Sequence, residues 1–348
     1  MNGTIIFIFF VVLLLSFVKS QKALFISFLC LLWMLSLRTN EIPDTDVYQW
    51  MYNDPIYRME FNEPGYLLLG YVFKLLTGAD FIAFSIFFSI LCLSLWYWGI
   101  KRLFPKDQNI GVIFLLFLSF FGFFYFGITI RNCLSEILIL CGITFYIRNK
   151  GAKRNLYFIL FVLFAFSIHL SAAFFLFFLL FIKYKMSLRR YYIVLFVCFI
   201  LWFLSGSTWS RGIVAEISHI PVFEKLEHYS SSMAEAPNMF SLQVLINWVI
   251  SFFSLWCYRF IYPRYKSIYV CFLRINMLGL LILSLVWSIP ASYRFYNMSF
   301  FFNFILIYLM IYKNKRIKNE INKTTYAIGV SVVYFAILLY SVQEMLIY

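Results

Sequence analysis

The chain has 348 residues and a formal net charge of +14, yet 63% of it is hydrophobic and only 13% is charged. A soluble domain carries roughly 25% charged residues, so a water-soluble enzyme is excluded at the outset. Nucleic acid is excluded as a partner too, because in so apolar a chain a basic excess belongs to the short cytoplasmic turns of a polytopic membrane protein.

Apolar runs near the roughly 17–25 residues that cross a bilayer recur along the chain. They are continuous and not alternating, which argues for helices against a β-barrel. Placed by those runs and oriented by Lys and Arg, the first helix covers about 4–18 and the second about 23–37, joined by the basic Lys19–Lys22 turn. No basic residue precedes the first run, so it reads as a retained helix with its N-terminus outside and not as a cleaved signal peptide. A first outer loop follows at 38–79. Within it, the stretch 64–78 is short and carries Lys74. A span there would push the basic Lys101–Lys106 loop outside, so 64–78 reads as an interfacial or re-entrant helix.

Helices three to five fall at about 80–100, 110–127 and 130–147, and RNKGAKR at 148–154 is a cytoplasmic turn. The segment 155–182 has basic residues at both ends and a polar break, Ser167-Ile168-His169-Leu170-Ser171, in its middle. It must enter and leave on one side, as two short helices that meet outside at His169. Helix eight at about 191–205 leads to a second outer loop at 206–240, where Ile213, Ile217 and Ile220 mark an amphipathic piece on the membrane surface. Helices nine to twelve lie at about 241–258, 268–288, 295–312 and 325–343. The expectation is an all-α polytopic integral membrane protein, a single domain over 1–348 with about 12 transmembrane helices and both long loops facing out.

P-loop, GxGxxG, HExxH and GxSxG motifs are absent, which sets aside nucleotide-driven, dinucleotide, zinc-hydrolase and serine-hydrolase chemistry. The seven cysteines lack CxxC spacing and lie in or beside apolar runs, as small core residues do. What remains is a set of outward polar residues. Arg38, Arg58, Arg131, Arg211 and Arg294 can bind phosphate or carboxylate bidentately. Each can equally snorkel to headgroups or pair with Glu136 or the loop acids.

His169, flanked by Ser167 and Ser171 at an outward hairpin, is a candidate general base or phosphate contact, against the alternative of a satisfied core histidine; His219 and His228 read as solvated surface. Asp46, in DTDVY, stands out from the loop background. Glu63, before a Pro-Gly step, is either a helix cap or a carboxylate with its pKa raised enough to take a proton from a sugar hydroxyl. Tyr48, Trp50, Tyr52 and Tyr57 suit stacking on sugar faces or an interfacial belt.

Together these residues resemble the EpsG/Wzy group of bacterial polysaccharide polymerases. The resemblance rests on Arg38 followed by Asp46-Val47-Tyr48, on Glu63-Pro64-Gly65-Tyr66, and on Ile130-Arg131-Asn132. It continues through Ser167, His169 and Ser171 to Tyr293-Arg294-Phe295-Tyr296. The spacing from Arg38 to Asp46 is wider than the group's usual one, and Asn132-Cys133 stands where Gln and small apolar residues are common. The resemblance implies a multi-pass protein of the bacterial plasma membrane with its site facing the periplasm or cell exterior. Its expected reaction moves undecaprenyl-pyrophosphate-linked O-antigen or exopolysaccharide glycan onto the non-reducing end of another lipid-linked repeat unit.

In that scheme His169, Glu63 and Asp46 are the catalytic candidates. Arg38, Arg58, Arg131, Arg211, Arg294, Tyr48 and Tyr296 bind pyrophosphate and glycan. No metal or cofactor is required. Expected partners are the lipid-linked oligosaccharide, membrane lipid, a chain-length regulator and a flippase. The competing functions are flipping of lipid-linked sugars, which would favour repeated halves and charges in mid-membrane, and O-acylation of surface glycans.

Overall fold

Helices dominate the computed structural model because an apolar chain with no water to satisfy its peptide groups must bond them within each segment. It describes residues 2–36, 45–54, 63–123, 126, 129–183, 186–204, 242–286, 297 and 299–347. Among these no strand forms, and a single isolated bridge pairs Ile261 with Asn314. The chain gathers in two compact units, one of residues 1–175 with 317–348 and one of residues 176–316.

In the first unit, α1 (Asn2–Ser16) and α2 (Gln21–Ser36) form a hairpin, and α3 (Thr45–Asn53) and α4 (Pro64–Thr77) precede α5 (Phe81–Leu103). Next come α6 (Ile110–Phe117), which runs into a π-helical turn at Leu118–Gly122, α7 (Ile130–Arg148) and α8 (Ala152–Ile168). The 3₁₀ turn Leu170–Phe174 closes the sequence before α9 (Phe175–Lys183). α7 packs along both α5 and α8. Its buried Ser135 hydroxyl donates to the Ala165 carbonyl at 3.1 Å, a polar link that lipid-embedded helices use where hydrophobic driving force is weak.

The second unit contains most of α9, then α10 (Leu188–Leu204), α11 (Leu242–Cys257), α12 (Lys266–Val286) and α13 (Asn303–Tyr312). Buried amides tie three of these together. The Asn276 side chain donates to Asn303 at 2.9 Å, Asn303 donates to Asn247 at 2.9 Å, and the Ser251 hydroxyl reaches Asn276 at 2.6 Å. The mid-helix Arg274 donates through Nε to the Tyr191 hydroxyl at 2.8 Å. α14 (Glu320–Ile347) belongs to the first unit.

Among the described residues four helical stretches are long and apolar enough to cross a bilayer: Phe81–Leu103, Ile130–Arg148, Pro263–Leu285 and Glu320–Tyr340. Shorter apolar helices of 10–17 residues accompany them among the described residues, and the expected count of about 12 spans is not confirmed. The predicted division at His169 is present: α8 stops at Ile168, His169 is extended (φ −153°, ψ 125°), and the chain resumes as a 3₁₀ turn. A hydroxyl competes for the backbone there, since Ser167 Oγ donates to the Phe164 carbonyl at 2.8 Å.

The stretch expected to lie at the membrane surface is the separate helix α4. Its 14 residues span about 21 Å, short of the ~30 Å hydrocarbon core. Pro64 starts it and Gly78, at φ +64°, closes it with its N–H on the Lys74 carbonyl, a left-handed cap that glycine adopts without strain. Leu68, Leu75 and Leu76 stand exposed along one side, while Tyr66, Leu67 and Gly70 are buried.

Candidate active site

Two features of the chain converge on one carboxylate. α4 begins with Pro at its first position, which leaves Glu63 just outside the helix in a non-helical conformation. The break after α8 leaves the Leu170 N–H outside the helix ladder. Glu63 Oε1 accepts from His169 Nδ1 at 2.7 Å and from the Leu170 N–H at 3.3 Å, while Oε2 pairs with the Arg131 guanidinium. Arg131 arrives from the first turn of α7, so residues far apart in sequence meet at the heads of α4 and α7 and the tail of α8.

Of the two roles open to Glu63 in the sequence, capping is not what the side chain does. It makes no bond to its own helix and spends both oxygens on partners from elsewhere. Nor is its pKa raised. Burial pushes the carboxyl up, but the hydrogen bond and charge of His169, the Arg131 guanidinium and the Leu170 N–H outweigh it and hold the group at about 2. An ionised carboxylate only accepts, so His169 must carry a proton on Nδ1, and Nε2 is the ring nitrogen that a neutral imidazole would present as a lone pair. That Nε2 is buried and has no hydrogen-bond partner among the described residues.

Three further buried polar atoms around the cluster lack a hydrogen-bond partner among the described residues: Arg131 Nε, the Ser171 hydroxyl and the Thr129 hydroxyl at the N-cap of α7. Native interiors pair almost all such groups. These four atoms are the open hydrogen-bonding positions of the cluster among the described residues.

Aromatic rings from α3 and α4 flank the cluster. In α3, Tyr48 and Tyr52 are buried while Asp46 and Trp50 are exposed. The Arg131 guanidinium lies 5.1 Å from the Tyr48 ring centre and 5.9 Å from that of Tyr66, and the two rings are 5.7 Å apart. α3 is fastened by the Tyr52 hydroxyl on the Ala79 carbonyl at 2.7 Å and by Lys74 Nζ on the Asn53 carbonyl at 3.1 Å. Asp46, two residues before Tyr48, points elsewhere, because positions two apart on a helix face different sides. It makes no hydrogen bond or ion pair among the described residues.

One glycine makes the meeting possible. A Cβ at Gly65 would stand 2.5 Å from Ser167 Oγ and 2.9 Å from the Ser167 backbone carbon, so α4 and the end of α8 touch backbone to backbone.

The structure therefore brings together His169, Glu63, Arg131 and Tyr48 and leaves Asp46 outside the cluster. Arg38, Arg58, Arg211, Arg294 and Tyr296 lie outside the described residues. Thr129 and Ser171 as binding groups, Tyr66 as part of the wall and Gly65 as the close contact were not assigned roles from sequence. Only Tyr66 and Ser171 had a legible signal, in the NEPGY and Ser-x-His-x-Ser motifs. Among the described residues no three His, Cys, Asp or Glu side chains gather as a metal site would require.

A family model described as the EpsG family matches residues 21–348, and thus every element of this cluster. No curated protein and no solved structure matches the chain.

Proposed function

The chain belongs to the EpsG family, and on that premise we propose that it polymerises surface polysaccharide from lipid-linked repeat units, with His169 as general base. The observation that carries this reading is the unpartnered Nε2 of a histidine whose Nδ1 is held by an ionised carboxylate. That is the arrangement a base needs: oriented, in one tautomer, with its lone pair free.

In the proposed reaction, an acceptor sugar hydroxyl at the non-reducing end of one lipid-linked repeat gives its proton to His169 Nε2. Its oxygen then bonds to the anomeric carbon of the donor glycan. The bond from that carbon to the undecaprenyl pyrophosphate breaks, and the pyrophosphate leaves with the electron pair. Glu63 stabilises the imidazolium that forms and holds Arg131 in place. The free Nε edge of Arg131 and the Thr129 hydroxyl, at the positive end of α7, meet the charge growing on the leaving group. Arg38, Arg58, Arg211 and Arg294 are proposed as further phosphate contacts, and the Tyr48 and Tyr66 rings as the sugar-facing wall. Asp46 is not needed as the base. The reaction draws on the pyrophosphate linkage for its energy, and the site faces the outer side of the plasma membrane.

The test is chain length. Deleting the gene should leave surface glycan one unit long, and a His169→Gln variant should accumulate single lipid-linked repeats on the outer face. Loss of about 10²–10⁴-fold in polymer formation is expected for removal of a general base. Normal chain length in that variant would end the assignment of His169. Accumulation of repeats on the inner face in the deletion strain would favour a flippase instead.

A further inference from the structure

The second unit carries a different kind of site at its basic end, built without any residue of the Glu63 cluster. Leu188, Arg189, Tyr192, Ile193 and Phe196 lie on one face of α10, spaced as helical neighbours are. With Arg259 from the 3₁₀ turn after α11, they line an open groove of about 450 Å³.

Its walls are hydrocarbon, with Ile193 and Phe196 52% and 62% exposed, and its end holds two cations. The neighbouring cations are engaged with aromatic faces. Arg264 sits 4.7 Å from the Tyr265 ring, Lys266 4.5 Å from that of Tyr258, and Arg316 3.6 Å from that of Phe260. Arg189 and Arg259 have no such contact, hydrogen bond or ion pair among the described residues. The described part of this unit contains no Asp or Glu to neutralise them.

We infer that this groove binds one anionic glycerophospholipid, its phosphate held between Arg189 and Arg259 and an acyl chain lying along Ile193 and Phe196. Charge complementarity selects an anion, and guanidinium forks suit a phosphate. The apolar walls select an amphiphile over a free ion, because a solvated phosphate would leave Ile193 and Phe196 uncovered. Basic clefts between helices at a membrane face are where anionic headgroups bind.

The full chain, purified in detergent, should be titrated with phosphatidylglycerol and with phosphatidylethanolamine of the same acyl chains, and the bound lipid counted by native mass spectrometry. One phosphatidylglycerol should be retained in preference by about 30-fold, the weight of two arginines near a headgroup. An R189Q/R259Q variant should lose the preference, whereas R189K/R259K should keep most of it and R264Q all of it. Equal thermal unfolding of all four proteins without added lipid shows that the loss is not misfolding. Equal retention of the two lipids, or an unchanged preference in R189Q/R259Q, would overturn the inference. So would displacement by inorganic phosphate, or by undecaprenyl phosphate at equal concentration, since each names another occupant.

Discussion

Gly65→Ala adds one methyl group and should loosen the hold of Glu63 on His169. The new Cβ would meet Ser167 Oγ at 2.5 Å, Ile168 Cδ1 at 2.9 Å and the Ser167 backbone carbon at 2.9 Å, where ordinary contact begins near 3.4 Å. The first two atoms are side-chain ends and can turn away. The third is the backbone of α8 and cannot, so α4 must retreat by about 0.5 Å or more. Glu63 stands two residues upstream on the same rigid start of the helix, and its 2.7 Å bond to His169 Nδ1 would lengthen to about 3.2 Å, the weak end of the hydrogen-bond range. Misplacement of catalytic groups by about 1 Å costs on the order of 10²-fold, so a half-ångström shift should cost polymer formation about tenfold. The assay is the chain-length ladder of surface glycan at matched protein level, with Gly78→Ala as the contrast. At Gly78 there is open space but φ is +64°, so alanine should lower stability by about 1 kcal/mol while the ladder stays normal. A normal ladder in Gly65→Ala would refute the reasoning. Full rescue by adding Ser167→Ala would also refute it, because only the hydroxyl and not the backbone would then have been in the way.

Other outcomes follow from the same geometry. Glu63→Gln leaves the Arg131 charge without its counter-ion in a site only 13–19% exposed, and should destabilise the fold by about 2 kcal/mol in detergent thermal unfolding. Because the Glu63 carboxyl is held at about 2 against an ordinary 4.5, its stabilisation is complete above pH 4.5 and is lost as pH falls from there toward 2. At ~1.4 kcal/mol per unit, roughly 3 kcal/mol should disappear over that window in the native protein and not in Glu63→Gln. Arg131→Lys keeps the charge but not the fork, so it should retain the fold and lose about tenfold or more in polymer formation. Asn276→Leu removes a donor to Asn303 and an acceptor from Ser251, and should cost about 1–2 kcal/mol of stability in the second unit.

Much of the architecture was legible because lipid reduces it to runs and breaks. The Ser-x-His-x-Ser interruption predicted the end of α8, and Pro64 with Gly78 bracketed α4 to within a residue. Hydropathy alone could not distinguish a full span from a shorter apolar helix, as at 110–127, where a π turn follows Phe117. The site was legible as a set of residue types but not as a set of pairings. Nothing in the spacing of Glu63, Arg131 and His169, separated by 68 and 106 positions from the glutamate, says that one carboxylate serves both. For that reason the environment of Glu63 was misjudged. Burial at a membrane surface argues for a raised pKa, and only the partners brought by α7 and α8 reverse the sign. Asp46 and Glu63 look equivalent in the loop sequence, and helical phase alone separates them, since it is Tyr48 and not Asp46 that faces Arg131.

The pairing also explains why one glutamate serves both a guanidinium and an imidazole. With the imidazole neutral, as the proposed base requires, one carboxylate and one guanidinium leave the cluster with no net charge, which a site 13–19% exposed tolerates at low cost. When His169 takes the proton of an acceptor hydroxyl, the cluster becomes cationic by one unit. In the proposed reaction the same step sends negative charge onto the departing pyrophosphate. The positive charge therefore appears when and where an anion forms, and not before, when it would have held the substrate too tightly to help the chemistry. A fixed lysine in place of His169 would supply the charge permanently and the base never. A carboxylate without Arg131 would compete with the pyrophosphate for the site. The Glu63–Arg131 pair removes that competition while leaving Arg131 Nε open, so the contact that stabilises the resting fold does not block the leaving group.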